Sequence, residues 1–294
     1  MRVASCQYQI EFLDAWDAYQ NKLEGLVEEA ARRGAQILVF PEYAAMELAS
    51  LFPQEVYSNL HLQIASMQAC LSAFLDLHCD LARRHHTYIL AGSFPVQVGD
   101  GEYRNRAYLF SPCGASAFQE KLIMTRFENE RWGISAGREI KVFETGLGRI
   151  GVNVCYDIEF PSIARAQVEA GADLILVPSC TDTLAGYHRV RIGCQARALE
   201  NQCYVVQSPT VGQACWSEAV DYNTGCAGLF TPVDSGFPDD GVQAVGNLDT
   251  PQWVYGELDP VRLRSVRDDG QVFNYRDWPR QFPIAAAQVN QVAL

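Results

Sequence analysis

The sequence predicts a layered α/β fold, and three observations support that prediction. Short apolar runs typical of buried strands alternate with segments in which apolar residues have helical spacing. Residues 149–182 read in succession as a strand, a helix and a second strand. The chain shows no linker, low-complexity tract or internal repeat that would divide it. About ten to twelve strands and about four main helices therefore indicate one domain over residues 1–294, with two sheets and the helices outside them.

The first half of the chain is predicted to alternate strands and helices. Residues 37–40 are four consecutive apolar residues, which is typical of a buried parallel strand. Gly34 ends the helix before that strand, and a polar loop is expected at 125–137. The predicted strands lie at 2–9, 37–40, 88–94, 103–111 and 115–123, and the predicted helices at 14–33 and 59–85.

The second half is predicted to contain a hairpin, a strand–helix–strand unit and further strands. Pro161 permits the start of the helix inside that unit. The tail at 270–294 is rich in aromatic residues and proline and then in small apolar residues, so we expect it to dock on this subunit or a neighbouring one. The predicted strands lie at 140–144, 149–154, 174–178, 203–208, 227–232, 242–248 and 253–259, and the predicted helices at 161–173, 189–201 and 261–268.

Composition narrows the class of protein. A net charge of −12 argues against a nucleic-acid partner and against an anionic membrane surface. No segment is long and apolar enough to span a membrane, and the first residues lack the apolar core of a signal peptide. The ten cysteines form no CxxC pair and no zinc-site spacing, so we expect reduced thiols, no metal and a cytoplasmic location.

Cys155 is the first candidate for chemistry, because it lies at the carboxyl end of the strand at 149–154. Open α/β sheets bind their ligands at that end of the strands. Backbone N–H groups at a helix start favour thiolate over thiol, and Asn153 and Asp157 add polar neighbours. The alternative is that Cys155 is one more small buried hydrophobic residue, which is common for cysteine.

Two other polar residues lie at or near predicted strand ends. Glu42 follows the strand at 37–40, and Lys121 lies near the end of the hairpin arm at 115–123. Only three of the 23 basic residues are lysines, so Lys121 persists against a strong bias for arginine. Attack on a C–N bond by a thiol requires a base, a group that stabilises the oxyanion and a proton for the leaving group. No histidine lies at a clean strand end, so Glu42, Lys121 and Cys155 form the best candidate set.

Three motifs around these residues resemble a known family. VFPEY at 39–43, EKL at 120–122 and NVCYDIEFP at 153–161 resemble the three signatures of the nitrilase superfamily of carbon–nitrogen hydrolases. LILVPS at 174–179 and ARALENQCYVV at 196–206 extend the resemblance over nearly the whole chain. The resemblance implies a four-layer αββα sandwich, a Glu-Lys-Cys triad, no cofactor, and homo-oligomers built on dimers.

The resemblance also implies roles for individual residues. Cys155 matches the nucleophile, Glu42 the general base, and Lys121 the cation beside the oxyanion. Members of the family place a second glutamate in the loop after the lysine, where this chain departs from the commonest pattern. Glu130 and Glu128 are the candidates, and Glu130 is preferred because its distance to Gly137 fits.

The substrate is expected to be a small amide-like molecule. Tyr156, Trp132, Tyr187, Trp216 and Glu128 are candidates for lining its pocket. A small aliphatic amide is the preferred substrate, and an N-carbamoyl amine or a nitrile is the alternative. Two alternative interpretations of the sequence are a catalytically silent binding protein on the same fold and a thiol redox protein. Four arginines are candidates either for binding a substrate carboxylate or for facing solvent: Arg126, Arg131, Arg189 and Arg191.

Overall fold

The computed structural model describes residues 1–293 and has the predicted α/β architecture. The strands, in chain order, are β1 (Arg2–Gln9), β2 (Ile37–Phe40), β3 (Tyr88–Gly99), β4 (Glu102–Phe110), β5 (Ser116–Glu120), β6 (Ile134–Ser135), β7 (Val142–Thr145), β8 (Gly148–Val152), β9 (Leu174–Ser179), β10 (Tyr204–Gln213), β11 (Tyr222–Asn223), β12 (Gly228–Phe230), β13 (Val242–Val245) and β14 (Gln252–Glu257). The helices are α1 (Trp16–Arg32), α2 (Gln54–Tyr57), α3 (Leu60–Met67), α4 (Leu71–Arg84), α5 (Pro161–Glu169), α6 (Leu184–Asn201), α7 (Pro260–Asp269), α8 (Asn274–Asp277) and α9 (Gln281–Ala285).

The strands form two mixed sheets that join at one corner. The first has the order β5-β4-β3-β2-β1-β14, and the second has the order β7-β8-β9-β10-β12-β13. Strands β1, β2 and β3 run parallel in the first sheet, as do β8, β9 and β10 in the second. The sheets meet where Tyr8 and Gln9 of β1 pair with Thr210 and Val211 of β10.

Alternation of side chains along the strands separates the layers. Ile37 and Val39 of β2 belong to a core shared with the second sheet, whereas Leu38 and Phe40 pack into a second core that includes α1 and α4. Residues of α5 and α6 cover the other face of the second sheet. This two-residue alternation puts the sheets face to face between helical layers. The predicted four-layer αββα sandwich is therefore confirmed.

The structure corrects three details of the predicted elements. The first helix begins at Trp16, two residues later than predicted. The helix predicted at 59–85 is two helices separated by a 3₁₀ turn at Gln68–Cys70. The polar loop predicted at 125–137 contains a π-helical turn at Glu128–Trp132, which matters for the site. Among residues 1–293, the structure contains no helix with the length and apolar character needed to cross a membrane.

The first part of the tail packs on its own chain. The Arg165 guanidinium lies 5.1 Å from the ring centre of Tyr275 and 4.9 Å from that of Trp278. Beyond Trp278 the apolar side chains of the described residues are exposed: Phe282 is 56% exposed and Ile284 is 75% exposed. Docking of this outer part on a neighbouring subunit stays a prediction.

Gly92 of β3 provides a test of how tightly that strand packs against Pro41. Gly92 has a φ of +72°, and an added Cβ would lie 2.1 Å from the Pro41 carbonyl oxygen. Gly92→Ala should lower the free energy of unfolding by about 2–4 kcal/mol, because a backbone clash adds to the cost of a left-handed φ. Equilibrium denaturation with guanidinium chloride measures the loss.

Gly34→Ala is the matched control. Gly34 also has a positive φ, +79°, but the described residues leave open space around the added Cβ. Its cost should be about 1 kcal/mol, the cost of the backbone conformation alone. Equal losses in the two variants would contradict the proposed clash.

Candidate active site

The ends of four strands converge on one cavity of about 470 Å³. Glu42 follows the end of β2, Lys121 follows β5, Cys155 lies just beyond β8, and Cys180 follows β9. The parallel pairing of β8 with β9 aligns their carboxyl ends, as it does for neighbouring parallel strands generally. The sandwich thus brings Glu42, Lys121 and Cys155 together from positions far apart in the sequence.

Lys121 lies between two buried carboxylates. Its Nζ is 2.8 Å from Glu42 Oε1 and 2.7 Å from Glu128 Oε2. The Lys121 and Glu42 side chains are each 1% exposed, and that of Glu128 is 3% exposed. Ions are buried at low cost only when they are paired and hydrogen-bonded, and here the pairing is complete.

Glu128, and not Glu130, is the second glutamate beside Lys121, so the preference for Glu130 is wrong. Glu130 is 53% exposed and its carboxylate lies 2.7 Å from Arg126 Nε on the outside of the turn. Glu128 Oε1 accepts a hydrogen bond of 2.7 Å from the Tyr43 hydroxyl.

Helical geometry explains the error. In a helical turn, side chains two residues apart point to different sides, whereas those four apart share one face. Glu128 therefore shares the inner face with Trp132, which is 1% exposed, while Glu130 points outward with Arg126. The large aromatic side chain four residues after Glu128 was the sequence signal that could have identified the buried glutamate.

A strained turn holds Cys155 at the floor of the cavity. Cys155 has a φ of +51°, begins a 3₁₀ turn at Cys155–Glu159, and is 4% exposed. The Asp157 carboxylate accepts hydrogen bonds from the backbone N–H groups of Val154, Leu122 and Ile123 at 2.8–3.2 Å. Asp157 thus ties the cysteine turn to the segment that follows Lys121.

Burial and charge set the protonation states of the site. Burial raises the pKa of Glu42 to about 7, although the charge of Lys121 acts in the opposite direction. Burial would lower the pKa of Lys121, but the charges of Glu128 and Glu42 outweigh it and raise that pKa well above its ordinary value. Lys121 is therefore a permanent cation, and Glu42 titrates near neutrality.

The protonation state of Cys155 differs from the expectation. Burial, reinforced by the negative charge of Glu42, raises the pKa of the Cys155 thiol well above its ordinary value. The expected stabilisation of a thiolate by helix-start N–H groups does not prevail. The resting group is a thiol, and it needs a base to become a nucleophile.

Asn105 is a buried site residue that the sequence analysis missed. Its Nδ2 donates a 2.9 Å hydrogen bond to Glu42 Oε1, and its backbone carbonyl oxygen accepts one of 2.9 Å from the Lys121 backbone N–H. The Cys180 backbone N–H donates to the other oxygen of Glu42 at 3.0 Å. Asn105 shares the inner face of β4 with Ala107, and a polar residue on that apolar face was the available signal.

Only some of the predicted pocket residues line the cavity. Tyr156 lines the cavity beside Cys155, and Trp132 lines it as a buried ring 4.8 Å from that of Tyr43. Tyr187 is not among the described residues that line the cavity; it is 2% exposed, with its hydroxyl 3.4 Å from Arg191. Trp216 packs instead at the edges of the Phe12 and Tyr57 rings. Within residues 1–293, no group of three or more His, Cys, Asp or Glu side chains is arranged to hold a metal ion.

Comparisons with known proteins agree with the fold and with the three motifs. A family profile described as carbon-nitrogen hydrolase matches residues 2–247. The chain is 35% identical over 277 residues to the probable hydrolase YhcX of Bacillus subtilis (strain 168), which covers 94% of this chain and 53% of YhcX. The chain thus spans about half the length of that relative.

Two further proteins match this chain over most of its length and over most of their own. The deaminated glutathione amidase of Synechocystis sp. (strain PCC 6803 / GT-S) is 28% identical over 268 residues, covering 87% of this chain and 91% of that protein. The crystal structure of Saccharomyces cerevisiae Nit3, a member of branch 10 of the nitrilase superfamily, has a TM-score of 0.72 and 20% identity. It covers 91% of this chain and 93% of Nit3.

The two glutamates of the turn provide a direct test of the buried ion cluster. Glu128→Gln should lower the free energy of unfolding by about 2–4 kcal/mol, because the buried Lys121 ammonium then keeps one carboxylate in place of two. Glu130→Gln is the matched control and should change it by less than about 0.5 kcal/mol, because its ion pair is exposed. Equilibrium urea denaturation measures both, and a larger loss in Glu130→Gln would overturn the corrected assignment.

Proposed function

The chain belongs to the carbon-nitrogen hydrolase family, and on that premise we propose that it hydrolyses a small aliphatic amide to the carboxylate and ammonia. The observation that carries the proposal is the convergence of the Cys155 thiol, the titratable Glu42 carboxylate and the permanent Lys121 ammonium on one cavity. Glu42 has a pKa near neutrality, which suits a general base, and Cys155 is a thiol that requires one. The relative named deaminated glutathione amidase supports the choice of an amide.

The proposed acylation begins with the amide carbonyl carbon against Cys155 Sγ. Glu42 accepts the thiol proton as sulfur attacks, and the carbonyl π electrons move to oxygen. Lys121 and the backbone N–H of Tyr156 stabilise the resulting oxyanion. Glu42 then gives its proton to the nitrogen, the C–N bond breaks, and ammonia leaves a thioester on Cys155.

The proposed deacylation uses the same groups in reverse. Glu42 accepts a proton from a water molecule, and the hydroxide oxygen bonds to the thioester carbon. Collapse of this second tetrahedral intermediate breaks the C–S bond and releases the carboxylic acid. The proton on Glu42 returns to the cysteine sulfur, and the acid ionises to carboxylate in water. Glu42 is therefore the proton carrier in both half-reactions.

Glu128 is proposed to act through Lys121 as a positioning residue. Its Oε2 accepts hydrogen bonds from the backbone N–H of Thr125 at 2.9 Å and from the Thr125 hydroxyl at 2.8 Å. These contacts fix the carboxylate, and the fixed carboxylate holds the ammonium within 2.8 Å of Glu42. A lysine pinned in this way requires little reorganisation when the oxyanion forms.

We also propose a cytoplasmic location and a homo-oligomer, a dimer or larger. All ten cysteines are free, which is typical of proteins in a reducing compartment. The exposed apolar side chains of the outer tail, Phe282 and Ile284 among them, would be covered by a neighbouring subunit.

A substrate panel tests the proposed reaction. Ammonia release is measured with small aliphatic amides, N-carbamoyl amines and nitriles on the natural sequence and on Cys155→Ala. Hydrolysis of amides should exceed that of the other two classes, and it should fall by at least about 10⁴-fold in the variant, because the nucleophile is absent. Cys194→Ala is the control for loss of a buried thiol, since Cys194 lies away from the cavity on α6. Full activity of Cys155→Ala would contradict the proposed nucleophile, and hydrolysis confined to nitriles would contradict the proposed substrate.

The pH dependence tests the proposed base. Glu42 must be ionised to accept a proton, so kcat/KM should rise with pH and reach half its maximum near pH 7, the raised pKa of Glu42. Asn105→Ala removes a hydrogen bond to the ionised form, which raises the pKa of Glu42 further. The acid limb should therefore move to higher pH by about one unit, the equivalent of one hydrogen bond.

Asn129→Ala is the control for that experiment. Asn129 is exposed on the helical turn that carries Glu128, so its loss should leave the acid limb in place. A folded Asn105→Ala variant with an unmoved acid limb would contradict the assignment of Glu42 as the base.

A further inference from the structure

The basic side chains of the cavity are already occupied by carboxylates. Lys121 has two partners, Glu42 and Glu128. The other basic side chains that line the cavity, among the residues the structure describes, are three arginines at its rim. Each has one acidic partner: Arg126 with Glu130 at 2.7 Å, Arg131 with Glu218, and Arg189 with Glu159 at 3.5 Å.

These pairs weaken the case for a substrate with a carboxylate at its far end. The sequence alone left the rim arginines open as carboxylate ligands. A substrate carboxylate at any of these arginines would lie beside the negative charge of Glu130, Glu218 or Glu159. The negative potential of those acids and of the Glu42–Lys121–Glu128 cluster, which has two carboxylates on one ammonium, would also oppose it.

Two carboxylates in the same cavity lack a cationic partner. Asp182 and Asp221 both line the cavity that has Cys155 at its floor, and neither forms an ion pair with any residue in 1–293. Asp221 Oδ1 accepts a hydrogen bond of 2.9 Å from the backbone N–H of Tyr222. The Thr224 backbone N–H donates to the Thr181 carbonyl oxygen at 2.9 Å, so the segments that carry the two aspartates are fastened together.

Two aromatic side chains that line the same cavity suit a cation. Tyr222 lines the cavity directly after Asp221 and is 52% exposed, and Tyr156 lines it directly after Cys155. Ammonium and guanidinium groups are attracted both to carboxylates and to the faces of aromatic rings. Among the described residues that line the cavity, six are acidic and four are basic. Such an excess of negative charge also concentrates cationic molecules near a site.

We propose that the substrate carries a positive charge, a protonated amine or a guanidinium, at the end remote from the amide, and that Asp182 and Asp221 bind it. This inference rests on the proposed amide hydrolysis and specifies the class of substrate. The amide end lies at Cys155, and the cationic end lies at the rim between the two aspartates. Neutral amides bind without this contact, and anionic ones are repelled.

Charged thiol reagents test the acidic subsite without any turnover. Aminoethyl, ethyl and sulfonatoethyl methanethiosulfonates each transfer their alkylthio group to a thiolate and release methanesulfinate. Rates are measured on Cys155 by mass spectrometry of its peptide, and each rate is divided by that of the same reagent with N-acetylcysteine. Because all three reagents react with the same thiol, the ratios of their rates do not depend on the pKa of Cys155. The cationic reagent should react about tenfold faster than the neutral one, and the anionic reagent should react more slowly.

Variants then assign the selectivity to the two aspartates. The double variant Asp182→Asn/Asp221→Asn should bring the cationic-to-neutral ratio close to one. Asp239→Asn and Asp269→Asn, introduced together as the control, remove an equal charge from exposed positions away from the cavity and should leave the ratio unchanged. Faster reaction of the anionic reagent, or an unchanged ratio in the double variant, would overturn the proposal.

Turnover separates this proposal from the proposed function. Matched ω-aminoalkanamides, alkanamides and ω-carboxyalkanamides of increasing chain length should be hydrolysed with kcat/KM in that order. The double variant should lose about tenfold on the cationic series, mainly through KM, and little on the neutral series. A preference for neutral or anionic amides would overturn the cationic subsite and leave amide hydrolysis standing. Hydrolysis of none of them, with charge-selective labelling of Cys155 intact, would overturn the proposed reaction and leave the subsite standing.

Discussion

The site depends on the burial of one ammonium between two carboxylates. Lys121 is 1% exposed, and without partners its charge would be expelled or neutralised there. One carboxylate would balance the charge; the second makes the cluster negative overall when Glu42 is ionised. That surplus keeps Lys121 charged. Ionisation of Glu42 is difficult chiefly because the carboxyl group is buried; the charge of Lys121 opposes that effect and the charge of Glu128 adds to it. The remaining features of the fold around the cavity hold these three groups in place.

Several separate elements of the fold hold these groups in position. Glu42 is held through the Asn105 side chain of β4 and the Cys180 backbone N–H after β9, so both sheets contribute to its position. Asp157 connects the cysteine turn to the segment after Lys121 through backbone N–H groups. A shift of either sheet would therefore change the distance between the carboxylate and the thiol. We infer that rigidity of the sandwich, rather than any single loop, sets the geometry of the site.

The sequence alone identified the candidate site residues that follow strand ends. It missed those whose place in the site depends on tertiary packing. Strand ends are visible where an apolar run gives way to a different residue type, and Glu42 and Cys155 follow that pattern. Lys121 also follows the end of a strand, although polar Gln119 and Glu120 come directly before it. Glu128 was misassigned because the segment was read as an irregular loop, in which no face is defined; the helical turn defines one. Asn105 lies in the middle of a strand, and its importance depends on which residue of a distant strand it faces. The pKa of Cys155 could not be read from the turn alone, because burial and the charge of Glu42 outweigh the local N–H groups.

The balance of charges in the cluster also gives Lys121, Glu128 and Glu42 different protonation behaviour. Lys121 is held protonated by two carboxylates, so it is unsuited to carry a proton and suited to remain a fixed positive charge beside an oxyanion. The pKa of Glu128 is lowered because the Lys121 charge and its hydrogen bonds outweigh burial, so it stays ionised. Of the three groups only Glu42 has a pKa near neutrality, which fits its proposed role of passing a proton between thiol, amine and water. Electrostatics thus accounts for the proposed choice of general base: of two glutamates on one lysine, the one with fewer hydrogen-bond donors around it titrates.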